Sequence, residues 1–275
     1  MRLASRFASR SPVLRSASPL SEAQIAAVAP SIFAIEAHDS RSSRYTYIPT
    51  IEVLRGLRKE GFEPFFVCQT RVRDDSRREF TKHMIRLRHA GEIGGAEANE
   101  IVLLNSHDGT SSYQMLAGAI RFVCQNGLVC GETMRDVRVP HKGDIVGQVI
   151  EGAYEIVDTF DAVTEQREGM KALTLSEGEQ NAFARAALTV KYDETMPAPI
   201  TETQLLSSRR LEDRGSDLWH TFNRVQEHLT KGGLHGRGRN GRRTTTRPVH
   251  GIDQSIKLNR ALWVLAEEMR KLHRH

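Results

Sequence analysis

Two stretches of the sequence, residues 65–73 and 80–89, alternate between apolar and polar side chains with the period of two that is typical of β-strands. We predict that they pair as a hairpin with Cys68 opposite Ile85, because a one-residue slip would turn arginines into the core. The outward face of this hairpin would then present five cations, namely Arg71, Arg73, Lys82, Arg86 and Arg88. The pattern therefore predicts a basic surface on a sheet.

The next apolar run predicts more of the same sheet. Residues 100–105 read as a buried strand, and the Asp108-Gly109 dipeptide after it favours a tight hairpin turn. The returning segment begins at Ser111, and its later half has apolar residues at helical spacing. We therefore expect a strand that passes into a helix near Gly118.

Helical periodicity dominates the rest of the chain. Ser21 with Gln24 and Ser176 with Glu179 match capping boxes, which mark helix starts. Further helices are predicted to begin at Thr50, after Asp144 (the longest pattern, continuing through Val163), at Ser216 and at about Asp253. Since strands cluster early and helices late, we predict an α+β fold in which an antiparallel sheet from the N-terminal half packs against helices from the C-terminal half.

The length and composition agree with an ordinary globular protein. The chain has 275 residues, of which 39% are hydrophobic and 27% charged, which excludes collagen, coiled-coil rods and wholesale disorder. No apolar run approaches the roughly 18 residues of a transmembrane helix, so a membrane span is not expected. We predict a basic arm at 1–20 and a single α+β domain at 21–275.

The charge is unevenly distributed. The formal net charge is +5, yet residues 231–247 alone hold six cations and no acid, and removing them leaves 33 bases against 34 acids. With five glycines, this segment is predicted to be a flexible insertion that follows a phosphate backbone and orders on contact. The alternative is a solvated linker between two helices.

The basic start of the chain has two interpretations. Residues 1–20 hold four arginines, many serines and no acid, which is the composition of an organelle transit peptide. A basic arm has the same composition, so composition alone leaves both open.

Motifs for catalysis and metal binding are sparse. The three cysteines are odd in number and form no CxxC pair, which favours a reducing compartment over disulfides or a structural zinc site. The sequence has no GxSxG, P-loop or GxGxxG motif in its structural context. His107-Asp108 could ligate a divalent ion, but a hairpin turn explains it more simply. We predict no catalytic residue, no metal and no cofactor, and we expect a binding function rather than an enzymatic one.

Several motifs together resemble one protein family. The stretches SRSSRYTYIPT, PFFVCQTRVRD, KHMIRLRH, LLNSHDGTSSYQM, RFVCQNGLVCG, VPHKGDIVGQVIEGAYE and GIDQSIKLNRALWVLAE, with the opening MRLASRF, are similar to the DUF-932 (UPF-0380) family of uncharacterised bacterial prophage and plasmid proteins. The resemblance extends over almost the full length. It implies a cytoplasmic protein of mobile elements, argues against a transit peptide and supplies no catalytic residues.

Three functional hypotheses follow. The first is non-enzymatic nucleic-acid binding in mobile-element DNA metabolism, with DNA or RNA and single strand or duplex left open. Its predicted contact residues are Arg71, Arg73, Lys82, Arg86, Arg88, Lys231, Arg237, Arg239, Arg242, Arg243 and Arg247. The second is a module that binds a host or mobile-element protein through the acidic block 151–230. The third is a metal-dependent hydrolase using His83, His107, Asp108 and His141.

Overall fold

The computed structural model describes residues 12–41, 47–72, 74–92, 95–123, 126–130, 145–193 and 195–273. The chain divides into two compact units, a first unit within 1–120 and 133–159 and a second unit within 121–132 and 160–275. Strands dominate the first half and helices the second, so the predicted α+β class is confirmed. A compact unit is not by itself an independently folding domain, so the boundaries proposed for the arm and the single domain stay predictions.

The first unit is built on a sheet whose strands lie side by side in chain order. The strands are β1 (Val13–Arg15), β2 (Phe62–Gln69), β3 (His83–His89), β4 (Glu97–Asn105) and β5 (Gln114–Arg121). The pairs β1–β2, β2–β3 and β3–β4 are antiparallel. Strands β2 to β5 follow one another through connections whose described residues form no α-helix, because an antiparallel pair needs no crossover helix, whereas residues 16–61, which include two α-helices, separate β1 from β2.

The register of the β2–β3 hairpin differs by one residue from the prediction. Cys68 lies opposite Met84 and not opposite Ile85, and an irregularity between Pro64 and Phe66 shifts the pairing further along the strand. The prediction assumed that the arginines of β3 must face solvent. A buried carboxylate on β4 removes that constraint, as described below.

The described residues of the first unit form the helices α1 (Glu22–Val28), α2 (Thr50–Lys59) and α3 (Ile145–Val157). Ser21 forms the predicted capping box with Gln24 at the start of α1. Helix α2 buries Val53, Leu54 and Leu57, which recur at helical spacing. A Cβ at Gly56 would lie 2.6 Å from Cδ1 of Ile150, so the glycine permits the close approach of α2 and α3.

The turn after β4 forms where it was predicted, but the strand after it is longer than predicted. Gly109 has a φ of 72°, which suits the tight turn. Strand β5 runs from Gln114 to Arg121 without becoming helical at Gly118. Its apolar residues are buried on both faces of the strand, and this burial imitates helical spacing in the sequence.

The second unit is mainly helical. It contains the short strand β6 (Asn126–Val129), the helices α4 (Phe160–Ala172), α5 (Glu177–Lys191), α6 (Glu202–Leu206) and α7 (Leu218–Lys231), the strands β7 (His235–Arg237) and β8 (Arg243–Thr245), and α8 (Ile252–Leu272). Its core contains a cluster of aromatic rings, in which Trp219 stacks on Phe222 with centroids 5.6 Å apart and the edge of Trp263 meets both. The amphipathic faces of α7 and α8 therefore bury against each other.

The predicted helix starts are mostly confirmed in this unit. Ser176 and Glu179 form the capping box of α5, whereas Asp217 rather than Ser216 caps α7. The long pattern predicted after Asp144 is split between α3 and α4, because the hydroxyl and the backbone amide of Thr159 both donate to the carbonyl of Ile156. Asp144 itself lies outside the described residues. None of the helices that the structure describes is long and apolar enough to cross a membrane.

Candidate nucleic-acid interface

The basic segment of the second unit forms a β-hairpin, which differs from the flexible insertion that its composition predicts. Strand β7 pairs with β8 through His235–Thr245, Gly236–Thr244 and Arg237–Arg243. The turn closes with a 2.9 Å hydrogen bond from the Gly238 amide to the Arg242 carbonyl, and Gly241 adopts a φ of 72°. We call residues 235–247 the arginine hairpin. The glycines here permit a tight turn and close packing, whereas the composition alone predicts a flexible segment.

The arginine hairpin is anchored to the rest of the second unit by its backbone. The Arg237 amide donates to the Pro199 carbonyl at 2.9 Å, and Nε2 of Gln204 donates to the His235 carbonyl at 2.7 Å. The Thr246 amide donates to the carbonyl of Leu234 at 2.9 Å. These bonds hold the backbone in place while leaving the arginine side chains to solvent.

The side chains of the arginine hairpin form an uncompensated positive surface. All five of its arginines are exposed, and none has a carboxylate partner among the residues that the structure describes: Arg237, Arg239, Arg242, Arg243 and Arg247. Arg237 and Arg243 are direct cross-strand partners. Like charges at such positions destabilise a hairpin, so an anion bound between them would relieve a repulsion. Lys231, the sixth predicted contact of this segment, instead pairs with Glu227 at 2.8 Å.

The arginines predicted on the outer face of the β2–β3 hairpin are buried. Arg86 and Arg88 are 5% and 2% exposed and both bind Glu100 on β4, which is 0% exposed. The Arg88 guanidinium also lies over the ring of Phe65, 4.4 Å from its centroid. The exposure predicted for these two cations is wrong, because both side chains are buried inside the first unit against one carboxylate, whose single negative charge they share.

The remaining predicted cations of that face are dispersed. Lys82 is buried and Arg71 is exposed. Arg73 lies outside the described residues. The predicted basic sheet face is therefore not formed as a continuous surface, and the arginine hairpin is the main exposed cluster among the predicted residues that the structure describes.

The histidines considered for a hydrolase lie in a closed polar network of the first unit. His83 and His107 are both 0% exposed, with ring centroids 5.4 Å apart. Nδ1 of His83 lies 2.8 Å from the Ser31 hydroxyl oxygen, and Nε2 of His83 lies 3.0 Å from the Thr50 hydroxyl oxygen. The side-chain amide of Asn105 donates a hydrogen bond to the same Thr50 oxygen. Burial lowers the pKa of His83 to about 3 and that of His107 to about 4, so both rings are neutral at pH 7.

Asp108 has a local structural role. Its carboxylate accepts hydrogen bonds from the Thr110 amide at 3.0 Å and from the Thr110 hydroxyl at 2.6 Å, which is the geometry of an Asx turn. His141 lies outside the described residues. The part of the chain that the structure describes contains no group of three or more His, Cys, Asp or Glu residues that could hold a metal ion.

The cysteines behave as buried apolar residues where they are described. Cys68 and Cys130 are buried, and Cys124 lies outside the described residues. Burial raises the pKa of Cys68 to about 12, so its thiol is protonated at neutral pH and is a poor nucleophile.

Several carboxylates of the acidic block 151–230 form ion pairs within the second unit. Asp213 is buried and binds Arg121 and Arg210, all within the second unit. Glu227 binds Arg210 at 2.6 Å as well as Lys231, and these partners lower its pKa to about 2 despite its burial. Docking of a protein through this block stays a prediction.

Comparisons with known proteins identify the family. The family model described as "Domain of unknown function (DUF932)" matches residues 37–263. The chain belongs to the DUF932 family. Two relatives from Escherichia coli (strain K12), UPF0380 protein YafZ and UPF0380 protein YfjQ, are each 58% identical to this DUF932 chain over 268 residues, which cover 98% of the chain and 97% of each relative. No solved structure matches.

The DUF932 match includes His83 and His107 of the buried network and the whole arginine hairpin. The family description assigns no chemistry to either of them, so functional inference for this DUF932 protein depends on its own residues.

Several residues that shape these sites were not identified from the sequence. Glu100 stands at the start of the predicted buried strand 100–105, and a lone acid beside a run of buried residues is a signal for an internal ion pair. Lys191, Tyr192 and Lys257 line a groove beside the arginine hairpin in the second unit. Lys257 is distant along the chain from the adjacent residues Lys191 and Tyr192, and no spacing pattern joins it to them.

Proposed function

We propose that this protein binds nucleic acid and that the arginine hairpin is its main contact with the phosphate backbone. The observation that carries the proposal is the exposed cross-strand pair Arg237 and Arg243, which has no carboxylate partner among the described residues. Such a pair is unfavourable in isolation and becomes favourable when phosphates lie between or beside the guanidinium groups.

The hairpin also suits a polyanion because its charges are closely spaced on a held backbone. Arg239 and Arg242 lie in the turn between the two strands, and Arg247 follows β8. Five arginines on a short hairpin match a repeating phosphate charge better than a single small anion. This proposal replaces the wider surface expected from the sequence, since Arg86 and Arg88 are occupied by Glu100. A role in mobile-element DNA metabolism is part of the same proposal and rests on the family resemblance.

The proposal is tested by titrating labelled single-stranded and duplex DNA with the full chain at several salt concentrations. The test variant is Arg237→Gln with Arg243→Gln. The matched control, Arg77→Gln with Arg214→Gln, removes two exposed arginines elsewhere. We expect the slope of log affinity against log salt to become shallower by about 1.4 on single strands and about 1.8 on duplex for the test variant only.

Two results would contradict the proposal. One is the absence of binding by the unmodified chain at low salt. The other is an equal loss of affinity in the test and control variants, which would show that binding follows net charge and not the arginine hairpin.

A further inference from the structure

A groove in the second unit lies directly beside the arginine hairpin. It has a volume of about 710 Å³ and lies between the end of α5, the loop that follows α5, strand β8 and the first turns of α8. Cavities of roughly 300–1,000 Å³ accept molecules of the size of a drug or a nucleotide. The groove is therefore large enough for a base with its sugar and phosphate, and too small for a duplex.

Four cations from separate segments meet in this groove: Lys191, Arg239, Arg247 and Lys257. Its described lining contains no acidic residue, and none of the four cations has a carboxylate partner among the described residues. The nearby Asp193 turns its carboxylate to the hydroxyl and amide of Thr195, at 2.6 and 2.9 Å. The described lining of the groove thus has a net positive charge.

Among these cations, Lys191 gives the strongest indication of an anion site because its side chain is half-buried. Its Nζ donates to two backbone carbonyls, those of Leu229 at 2.5 Å and Arg247 at 3.2 Å. Burial lowers the pKa of this lysine, which means that the surroundings stabilise its charge less than water does. An anion in the groove would supply the missing compensation.

The groove also has an apolar part that a simple phosphate site does not need. Tyr192 lines it, with the Lys191 ammonium 5.6 Å from the ring centroid. Val190 and Met196 line it too and are 39% and 61% exposed. Exposed apolar side chains beside cations match the chemistry of a nucleotide, whose base has an apolar face and whose phosphate is anionic.

We propose that this groove accepts an unpaired base of single-stranded nucleic acid, which stacks on Tyr192 while the flanking phosphates bind Arg239, Arg247 and Lys257. This inference rests on the proposed function and makes it specific for single strands. In a duplex each base is stacked and paired, so its face cannot reach Tyr192 without being flipped out. Single strands bind by both phosphate contact and stacking, and duplexes bind by phosphate contact alone.

The experiment uses the full chain, a labelled single-stranded oligonucleotide carrying the fluorescent base 2-aminopurine, and a duplex of the same length. We expect tighter binding of the single strand and quenching of 2-aminopurine on binding, because the base stacks on the tyrosine ring. Tyr192→Leu should weaken single-strand binding by about five-fold or more, abolish the quenching and leave duplex affinity unchanged. Tyr192→Phe should retain both the affinity and the quenching.

A second variant avoids dependence on a half-buried side chain. Lys257 is exposed on α8, so Lys257→Gln should leave the fold intact. We expect it to make the single-strand salt slope shallower by about 0.7. Far-UV circular dichroism and the urea midpoint of every variant confirm that the second unit is folded.

The outcomes separate the two proposals. Failure of the unmodified chain to bind either DNA overturns both. Equal binding of single strand and duplex, with no quenching and no effect of Tyr192→Leu or Lys257→Gln, overturns the groove assignment and leaves binding by the arginine hairpin in place. Loss of quenching in Tyr192→Leu together with its retention in Tyr192→Phe supports the groove.

Discussion

At the scale of single residues, whether an arginine of this protein is buried or exposed depends on the side chain that lies opposite it. The sequence predicts the same role for Arg86 and Arg243, since both are expected to be exposed cations that contact nucleic acid. Arg86 is buried against Glu100, whereas Arg243 is exposed beside another arginine. A guanidinium can be buried only if a carboxylate and further hydrogen bonds replace its water, and the sequence does not show which carboxylate will do so.

Removing the buried carboxylate of Glu100 should destabilise the folded protein. We predict that Glu100→Gln lowers the free energy of unfolding by about 3–5 kcal/mol, because two buried guanidinium groups lose their counter-charge. Urea denaturation measures the change. The control is Glu52→Gln, which breaks a half-exposed pair with Arg55 and should cost about 1 kcal/mol or less. Similar costs for the two variants would contradict the internal role of Glu100.

At the scale of elements, backbone packing gives the arginine hairpin its defined shape. A glycine-rich segment has no intrinsic preference for a hairpin, and its composition indicates a linker. The hairpin forms because its strands bond to each other and to the loop before α6. Gly236 is essential to this contact, since a Cβ there would lie 1.9 Å from the Pro199 carbonyl oxygen.

We therefore predict that Gly236→Ala loosens the arginine hairpin. The added methyl group must push β7 away from Pro199 and break the hydrogen bond from the Arg237 amide, at a cost of about 1–3 kcal/mol. Hydrogen exchange should show faster exchange at Arg237 and Thr246. Gly238→Ala is the matched control, because the nearest atom to its Cβ is 3.4 Å away and its exchange should change little. Unchanged protection in Gly236→Ala would argue against this anchoring.

At the scale of the whole molecule, both units bury titratable groups in their neutral form. His83 and His107 are neutral in the first unit, and burial also lowers the pKa of His228 in the second. An unfolded chain protonates each histidine near its usual pKa of about 6.5. The unfolded state therefore binds more protons than the folded state below that pH, and acid favours unfolding.

We predict that stability is highest above pH 6.5 and falls as the pH drops toward the folded-state pKa values of about 4 for His107 and about 3 for His83. If both histidines take up a proton on unfolding, the free energy of unfolding changes by about 2.7 kcal/mol per pH unit. The decisive range is from about pH 6.5 to 5.5, where most carboxylates stay ionised in both states. Urea denaturation across that range measures the slope. His235→Gln, at an exposed position, should not alter it, and a flat profile would contradict the prediction.

The sequence by itself determined the α+β class, the family, the capped starts of several helices and the location of the most basic segment. These properties depend on local periodicity, local hydrogen bonding and local composition, which are all readable along the chain. The tertiary structure decided which cations are exposed. Glu100 buries Arg86 and Arg88 from an adjacent strand, and Pro199 holds the arginine hairpin from a distant loop. It also brought Lys191, Tyr192, Arg239 and Lys257 together from three parts of the chain into one groove. Exposure and clustering are properties of three-dimensional packing, so contacts between residues far apart in sequence decide them.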